Sequence, residues 1–337
     1  MAALSEVNAL GQRIWLDNLT RKMLDDGSLA RHIASGVSGL TSNPAILLKG
    51  MKADAEGHGA LSGNTPEARL EALVLPDIRR ACDLFLPVFE ASSGDDGYVS
   101  LELSPKIAFD RDATIGEAVR LFQAVGKPNL MIKVPATPEG ISAFEHLISI
   151  GCCINVTLIF SLHQVFRVQE AYVRGIRNCA DPSRVRSVAS IFLSRIDTLI
   201  DGLLEPGSPL AGKTGVSVAK LAYQRHLERF RHGFTGTPQK LLWASTGTKN
   251  PAYSDLLYVE PLIGADTVNT LPDATLSAFL DHGKAKNTLG EGVDEAMRQI
   301  VGLEHAGIDL EAACARLFEE GMSAFDKAYS ELLDLAA

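Results

Sequence analysis

Leu130-Met131-Ile132-Lys133-Val134-Pro135 is a short apolar run that reads as a buried strand, yet it carries an ammonium group near its end. Lysine is almost never fully buried unless something pairs with it. Removal from water disfavours the charged form, and the neutral amine is the state that attacks carbonyls, so Lys133 is a candidate Schiff-base nucleophile. The plain alternative is a lysine that snorkels to solvent or pairs with a buried carboxylate. An imine-forming lysine needs one acid/base while the carbinolamine loses water, and a second to take a proton from the bound compound if a carbon–carbon bond is then broken. Two separate carboxylates are therefore expected, and Asp17 and Glu102 each lie at or near the end of a strand-like run. For Asp17 the competing role is a helix N-cap before Leu19 to Leu24; for Glu102 it is a solvent-facing strand position or a simple ion pair with Lys133.

The elements that must carry these residues follow from periodicity. Strands are expected at Arg13 to Leu16, Gly36 to Leu40, Tyr98 to Leu103, Leu130 to Pro135, from Cys152 through Phe160, Val185 to Phe192, Leu241 to Ala244 and Thr267 to Thr270. Between them lie amphipathic helices: residues 21 to 34, Thr65 to Glu90 as two helices or one kinked at Pro76, and further stripes in each later interval. Thr114 with Glu117, and Ser161 with Gln164, have capping-box spacing; Thr137-Pro138 reads as an N-cap with proline at the first helical position, and Asp273 as another cap. Met51 to Gly63 is polar and glycine-rich, which predicts a loop. Eight strands alternating with helices in 337 residues favour a closed (β/α)8 TIM barrel with additional helices at both termini, read as a single domain over 1–337. A doubly wound open sheet would usually show a glycine-rich nucleotide loop after its first strand, and there is none.

Active sites of such barrels lie at the C-terminal ends of the strands. The out-of-place polar residues fall there on six successive strands: Asp17, Asn43, Glu102, Lys133, Asn155 with Thr157, and Ser190 with Arg195. A barrel packed only for stability would fill these positions with branched apolar side chains.

Three stretches, Gly36-Val37-Ser38-Gly39-Leu40-Thr41-Ser42-Asn43-Pro44-Ala45-Ile46, Met131 to Thr137 and Cys152-Cys153-Ile154-Asn155-Val156-Thr157-Leu158-Ile159-Phe160-Ser161, together resemble the transaldolase family of class I aldolases in its longer bacterial form. The likeness extends from Trp15-Leu16-Asp17 to Thr267-Val268-Asn269-Thr270-Leu271-Pro272. It implies that Lys133 forms the imine, Asp17 acts on the C4 hydroxyl, and Glu102 works through a water held by Thr157. Asn43 and Asn155 would bind the hydroxyls of a dihydroxyacetone unit, although Asn43 could be only a turn residue before Pro44, and Asn155 a satisfied buried amide. Ser190, Phe192 and Arg195 match a pattern in which serine and arginine meet a substrate phosphate; Arg195 could otherwise be a first-turn helix residue. Ser245-Thr246-Gly247-Thr248-Lys249 departs from the short members, which carry an arginine two residues beyond the serine matching Ser245, so Lys249 is assigned the missing charge and Ser245 the hydroxyl.

The expected activity is transfer of dihydroxyacetone from sedoheptulose 7-phosphate to glyceraldehyde 3-phosphate in the pentose phosphate pathway. The rivals are a fructose 6-phosphate aldolase and a non-catalytic barrel that binds sugar phosphates. No cofactor and no metal are expected: the eight histidines are unclustered, HExxH is missing, and the five cysteines lack CxxC spacing. A net charge of −9 argues against nucleic acid or an anionic membrane surface as partner, and no apolar run approaches a membrane span. The N-terminus lacks a basic segment followed by an apolar core, so a cytoplasmic protein is expected, as a monomer or a homodimer.

Overall fold

The computed structural model describes residues 2–53, 63–231 and 234–337. Eight parallel strands form a closed barrel: β1 (Gln12–Leu16), β2 (Gly39–Thr41), β3 (Val99–Glu102), β4 (Leu130–Pro135), β5 (Ile154–Ile159), β6 (Ser187–Phe192), β7 (Lys240–Ala244) and β8 (Thr267–Leu271). Each pairs with its neighbour in sequence, and β8 returns to β1 with Trp15 opposite Thr270. The expected (β/α)8 barrel is therefore the observed one. No described helix is long and apolar enough to cross a membrane.

The twofold alternation of a strand decides which side chains enter the barrel. Asp17 follows β1 on the same face as Trp15; Thr41 shares a face with Gly39, Lys133 with Met131, Thr157 with Asn155, Ser190 with Val188 and Phe192, and Thr270 with Val268. The other parity, including Ile14, Leu40, Ile132, Val156, Ile191 and Leu241, is fully buried against the surrounding helices. At the lower end, Trp15 Nε1 donates to Asp96 Oδ1 (2.9 Å), and Arg13 Nε lies 3.4 Å from Asp96 Oδ2. Lys240 Nζ donates to Asp95 (2.6 Å), closing that end with charge pairs instead of an opening.

Several local expectations change. The helix expected over 21 to 34 is two, Arg21–Asp25 and Ser28–Ser35, because Gly27 takes a left-handed conformation between them. The second strand begins at Gly39, three residues late. The segment from Thr65 forms one continuous helix, Pro66–Ala91, across both internal prolines. Met51 to Ala53 extend the helix Pro44–Ala53 instead of starting a loop; residues 54–62 of that expected loop lie outside the described residues. Thr114 with Glu117 does not open a helix. Asp110 caps Arg111–Val125 by accepting from Ala113 N, and Thr114 Oγ1 donates back to the Ile107 carbonyl. Asp273 is the first helical residue after Pro272 and accepts from Asn18 Nδ2 (2.7 Å). The Thr137 cap and the Ser161–Gln164 capping box are observed.

The C-terminal helix, Leu310–Leu335, packs on the helices Pro44–Ala53 and Ser194–Leu203 and reaches β5. Gly321 permits that approach: a Cβ there would lie 3.1 Å from Leu158 Cδ2 and 3.6 Å from Arg195 Nη1. Its far end is tied by Arg69, whose guanidinium donates to the carbonyls of Ala336 and Ala337.

Gly39 faces the Trp15 indole, and an added Cβ would fall 2.5 Å from Nε1. Gly39→Ala should cost about 1–3 kcal/mol of stability in chemical denaturation through overpacking. An unchanged midpoint would show that the indole can move aside.

Candidate active site

The interior parity brings Asp17, Thr41, Lys133, Thr157, Ser190, Phe192 and Thr270 to the wall of one cavity at the C-terminal end of the barrel, with about 640 Å³ of open space. Asn43 and Ser245 border it from loops and Arg195 from the first turn of a helix, and Ala324 and Phe325 close it from the C-terminal helix.

Lys133 is only 4% exposed. Its Nζ donates to Glu102 Oε2 (3.2 Å) and to the Ser42 carbonyl (3.1 Å). Strand register makes the pair inevitable, because Glu102 and Lys133 are direct partners across β3 and β4. The Glu102 side chain is 3% exposed, has the same strand parity as Lys133, and lines a neighbouring cavity with Leu101, Ser104 and Tyr329. Burial pushes its carboxyl up to about 7, with the charge and hydrogen bond of Lys133 opposing the rise. The solvent-facing alternative for Glu102 is thereby excluded, and the ion-pair alternative is realised, though in a place where removing one partner typically costs about 3–5 kcal/mol. Glu102 Oε1 and Thr157 Oγ1 are both buried without a protein partner among the described residues.

Asp17 is no helix cap; Thr20 fills that position for Arg21–Asp25. Its Oδ1 accepts from Thr41 Oγ1 (2.7 Å), which is itself 2.7 Å from Thr270 Oγ1. Burial raises the Asp17 carboxyl above its ordinary value, while Lys133, Thr41 and, more weakly, Lys249 pull it down. Two carboxyls thus flank one amine, each with a different escort.

Asn43 Oδ1 accepts from Ile46 N (2.9 Å), so its oxygen serves the turn into Pro44–Ala53 while the residue borders the cavity. Asn155 is fully buried; Oδ1 accepts from Ser190 Oγ (2.7 Å) and Nδ2 donates to Ser100 Oγ (3.1 Å). Both asparagines therefore have a structural partner; Asn43 also borders the cavity, and Asn155 pairs in register with Lys133. Phe192 lies under the Arg195 guanidinium, 5.5 Å from ring centroid to Cζ. Arg195 is in the first turn of Ser194–Leu203, half-buried, with no carboxylate in ion-pair range among the described residues. Ser245 follows β7 in a left-handed conformation (φ 55°) and exchanges a hydrogen bond with Ser194 Oγ (2.9 Å). Lys249 is exposed and outside the cavity wall, close enough for its charge to act on Asp17.

Sequence reasoning gave no role to Thr41, Thr270 or Phe325. The two threonines are visible as polar residues of interior parity, but an aromatic in a helical stripe carries no mark of what it covers. Another unflagged feature is Leu158, left-handed at φ 59° where β5 shifts register between Val156 and Ile159. The bulge ends the regular alternation just beyond Thr157. Among the described residues no group of three or more histidine, cysteine, aspartate or glutamate side chains is placed to hold a metal ion.

A buried lysine paired with one carboxylate and facing a second, at the C-terminal mouth of a (β/α)8 barrel, is the arrangement of a class I, imine-forming aldolase site. The chain belongs to the transaldolase/fructose-6-phosphate aldolase family, whose model matches residues 14–336. It is 50% identical to a transaldolase of Thiobacillus denitrificans, over 97% of this chain and 98% of that protein. It is 46% identical to a transaldolase of Neisseria meningitidis, over 99% of both, and 39% identical to one of Trichodesmium erythraeum, over 98% and 96%.

A carboxyl that holds its proton more tightly when folded favours the folded state below the ordinary glutamate value of 4.5, and that contribution is lost as pH rises through about 7. Lys133→Ala removes the cation that restrains both carboxyls, so both should rise further. Denaturation at several pH values should show the variant's stability deficit growing as pH rises above about 7. A deficit independent of pH would mean that the amine and the acids are not coupled.

Proposed function

We propose that this chain is a transaldolase, moving a dihydroxyacetone unit from sedoheptulose 7-phosphate to glyceraldehyde 3-phosphate in the pentose phosphate pathway. The observation that carries this reading is Lys133 Nζ, nearly removed from water and 3.2 Å from Glu102, fronting the cavity that Asp17 and Arg195 also border. The names of the relatives support transfer over simple cleavage.

Lys133 gives its proton to Glu102, and the free amine adds to the C2 carbonyl of the ketose. Glu102, near 7 and so able to give or take a proton at neutral pH, returns it to the departing hydroxyl; water leaves and a protonated imine remains. The two orphan oxygens, Glu102 Oε1 and Thr157 Oγ1, suit a water relaying that proton. Asp17 takes the C4 hydroxyl proton, the C3–C4 bond breaks, and its electron pair moves into the iminium to give an enamine while erythrose 4-phosphate departs. The enamine carbon attacks the aldehyde of glyceraldehyde 3-phosphate, Asp17 returns its proton to the new alkoxide, and hydrolysis frees fructose 6-phosphate and Lys133.

Asn155 retains a second N–H and Asn43 its amide group for the hydroxyls of the held fragment. Arg195, unpaired by any described carboxylate, is the anchor for the phosphate, with Ser190, Ser245 and Lys249 contributing hydroxyls and charge. The imine is the electron sink, so neither metal nor organic cofactor is required. We assign the whole chain to one domain acting in the cytoplasm as a monomer or homodimer, in keeping with its net charge of −9.

Borohydride with fructose 6-phosphate should add a reduced three-carbon or six-carbon adduct to the intact mass, and Lys133→Ala should abolish both adduct and turnover. An unchanged mass would indicate a silent sugar-phosphate binder. Dihydroxyacetone released at full rate without an acceptor aldehyde would indicate an aldolase instead. Trapping should fall with acidity below about pH 7, as protons occupy the base, and Glu102→Gln should slow it at least about tenfold and flatten that dependence.

A further inference from the structure

The helix Ser194–Leu203 carries more than Arg195. On one of its faces, Asp197 and Asp201 are spaced four residues apart, and each uses its two oxygens alike. Asp197 Oδ1 accepts from Gly215 N (2.9 Å) and Oδ2 from Tyr258 Oη (2.8 Å). Asp201 Oδ1 accepts from Gly212 N (2.8 Å) and Oδ2 from Tyr253 Oη (2.8 Å). Each carboxylate therefore ties the segment entering the helix Thr214–Phe230 to a tyrosine of the segment that follows β7. The glycines are required for the reach. A Cβ at Gly215 would sit 2.8 Å from the Leu193 carbonyl, and one at Gly212, which is left-handed at φ 69°, would sit 2.6 Å from the Tyr253 ring.

The segment so held begins with Ser245, strained into the left-handed region and bound at its start by Ser194, whose N–H donates to the Ser245 carbonyl (3.1 Å). It is held again at its end, where Asn269 Nδ2 donates to the Tyr258 carbonyl (2.9 Å). Ser245 and Lys249 lie between these ties, and Arg195 lies two residues before the first aspartate. The two halves of the anionic-group site thus come from different elements, and the carboxylate–tyrosine pairs fix one against the other.

We propose that Asp197–Tyr258 and Asp201–Tyr253 form a positioning clamp that sets Ser245 and Lys249 against Arg195 and so tunes affinity for the phosphorylated end of the sugar. None of the four touches the reacting carbon. This inference rests on the assignment of Arg195 to the phosphate, and the two can fail separately.

The test uses the full chain with Tyr253→Phe and Asp201→Asn, Tyr253→Phe keeping the ring that packs on Gly212, and Arg195→Ala as reference. KM for fructose 6-phosphate, with erythrose 4-phosphate as acceptor, should rise about three- to tenfold in each clamp variant while kcat stays within about twofold, the pattern of weakened ground-state binding. Borohydride trapping of unphosphorylated dihydroxyacetone should keep its native rate within about twofold, since that fragment has no phosphate to anchor. If Arg195→Ala raises KM but Tyr253→Phe and Asp201→Asn do not, the clamp is refuted and the phosphate assignment stands. If Arg195→Ala leaves KM unchanged, the phosphate assignment itself falls. Equal losses with phosphorylated and unphosphorylated substrates in the clamp variants would assign these pairs to stability alone and overturn the proposal.

Discussion

One contact organises this molecule: an ammonium and a carboxylate, both almost removed from water, held opposite each other on neighbouring strands. Such a pair is a poor source of stability, because desolvating two charges consumes most of what their attraction returns. Its presence calls for another explanation. Burial lifts Glu102 to about 7, and the charge and hydrogen bond of the adjacent Lys133 keep it from rising higher. The Ser42 carbonyl gives Lys133 a second acceptor, which orients the amine without competing for its charge.

Everything around that pair can be read as geometry supplied by the barrel. Twofold alternation aims the interior parity at one axis, and parallel pairing in sequence order brings Asp17, Lys133, Thr157 and Ser190 to the same end. Thr41 and Thr270 extend the logic, since a hydroxyl chain from β8 through β2 reaches Asp17 and steadies its carboxylate. The departure from regularity at Leu158 falls where the C-terminal helix crosses, and Gly321 is the residue that lets it come so near.

Much of this was legible in the sequence because period and parity are local properties. A lysine in an apolar run, an aspartate closing another, and a threonine two residues after an asparagine each announce their face without knowledge of the fold. Capping was harder. Thr114 and Glu117 have the right types and spacing, but Asp110 lies four residues earlier and takes the cap first. The asparagines show a different limit: the sequence offers a turn residue or a ligand for Asn43, and the structure gives its oxygen to Ile46 N while leaving the residue on the cavity. Ser245 is placed beside the site by likeness alone, and its hydrogen-bond partner is Ser194, fifty-one positions away. Such long-range dependence leaves no periodic trace.

Phe325 belongs to a helix that follows all eight strands in the sequence, yet it forms part of the wall around Lys133. All eight strands and all the acid–base groups are synthesised before it. The ring of strands and the Lys133–Glu102 pair are thus specified ahead of the helix that covers the chamber. Chemistry and shelter are encoded in separate stretches of the message.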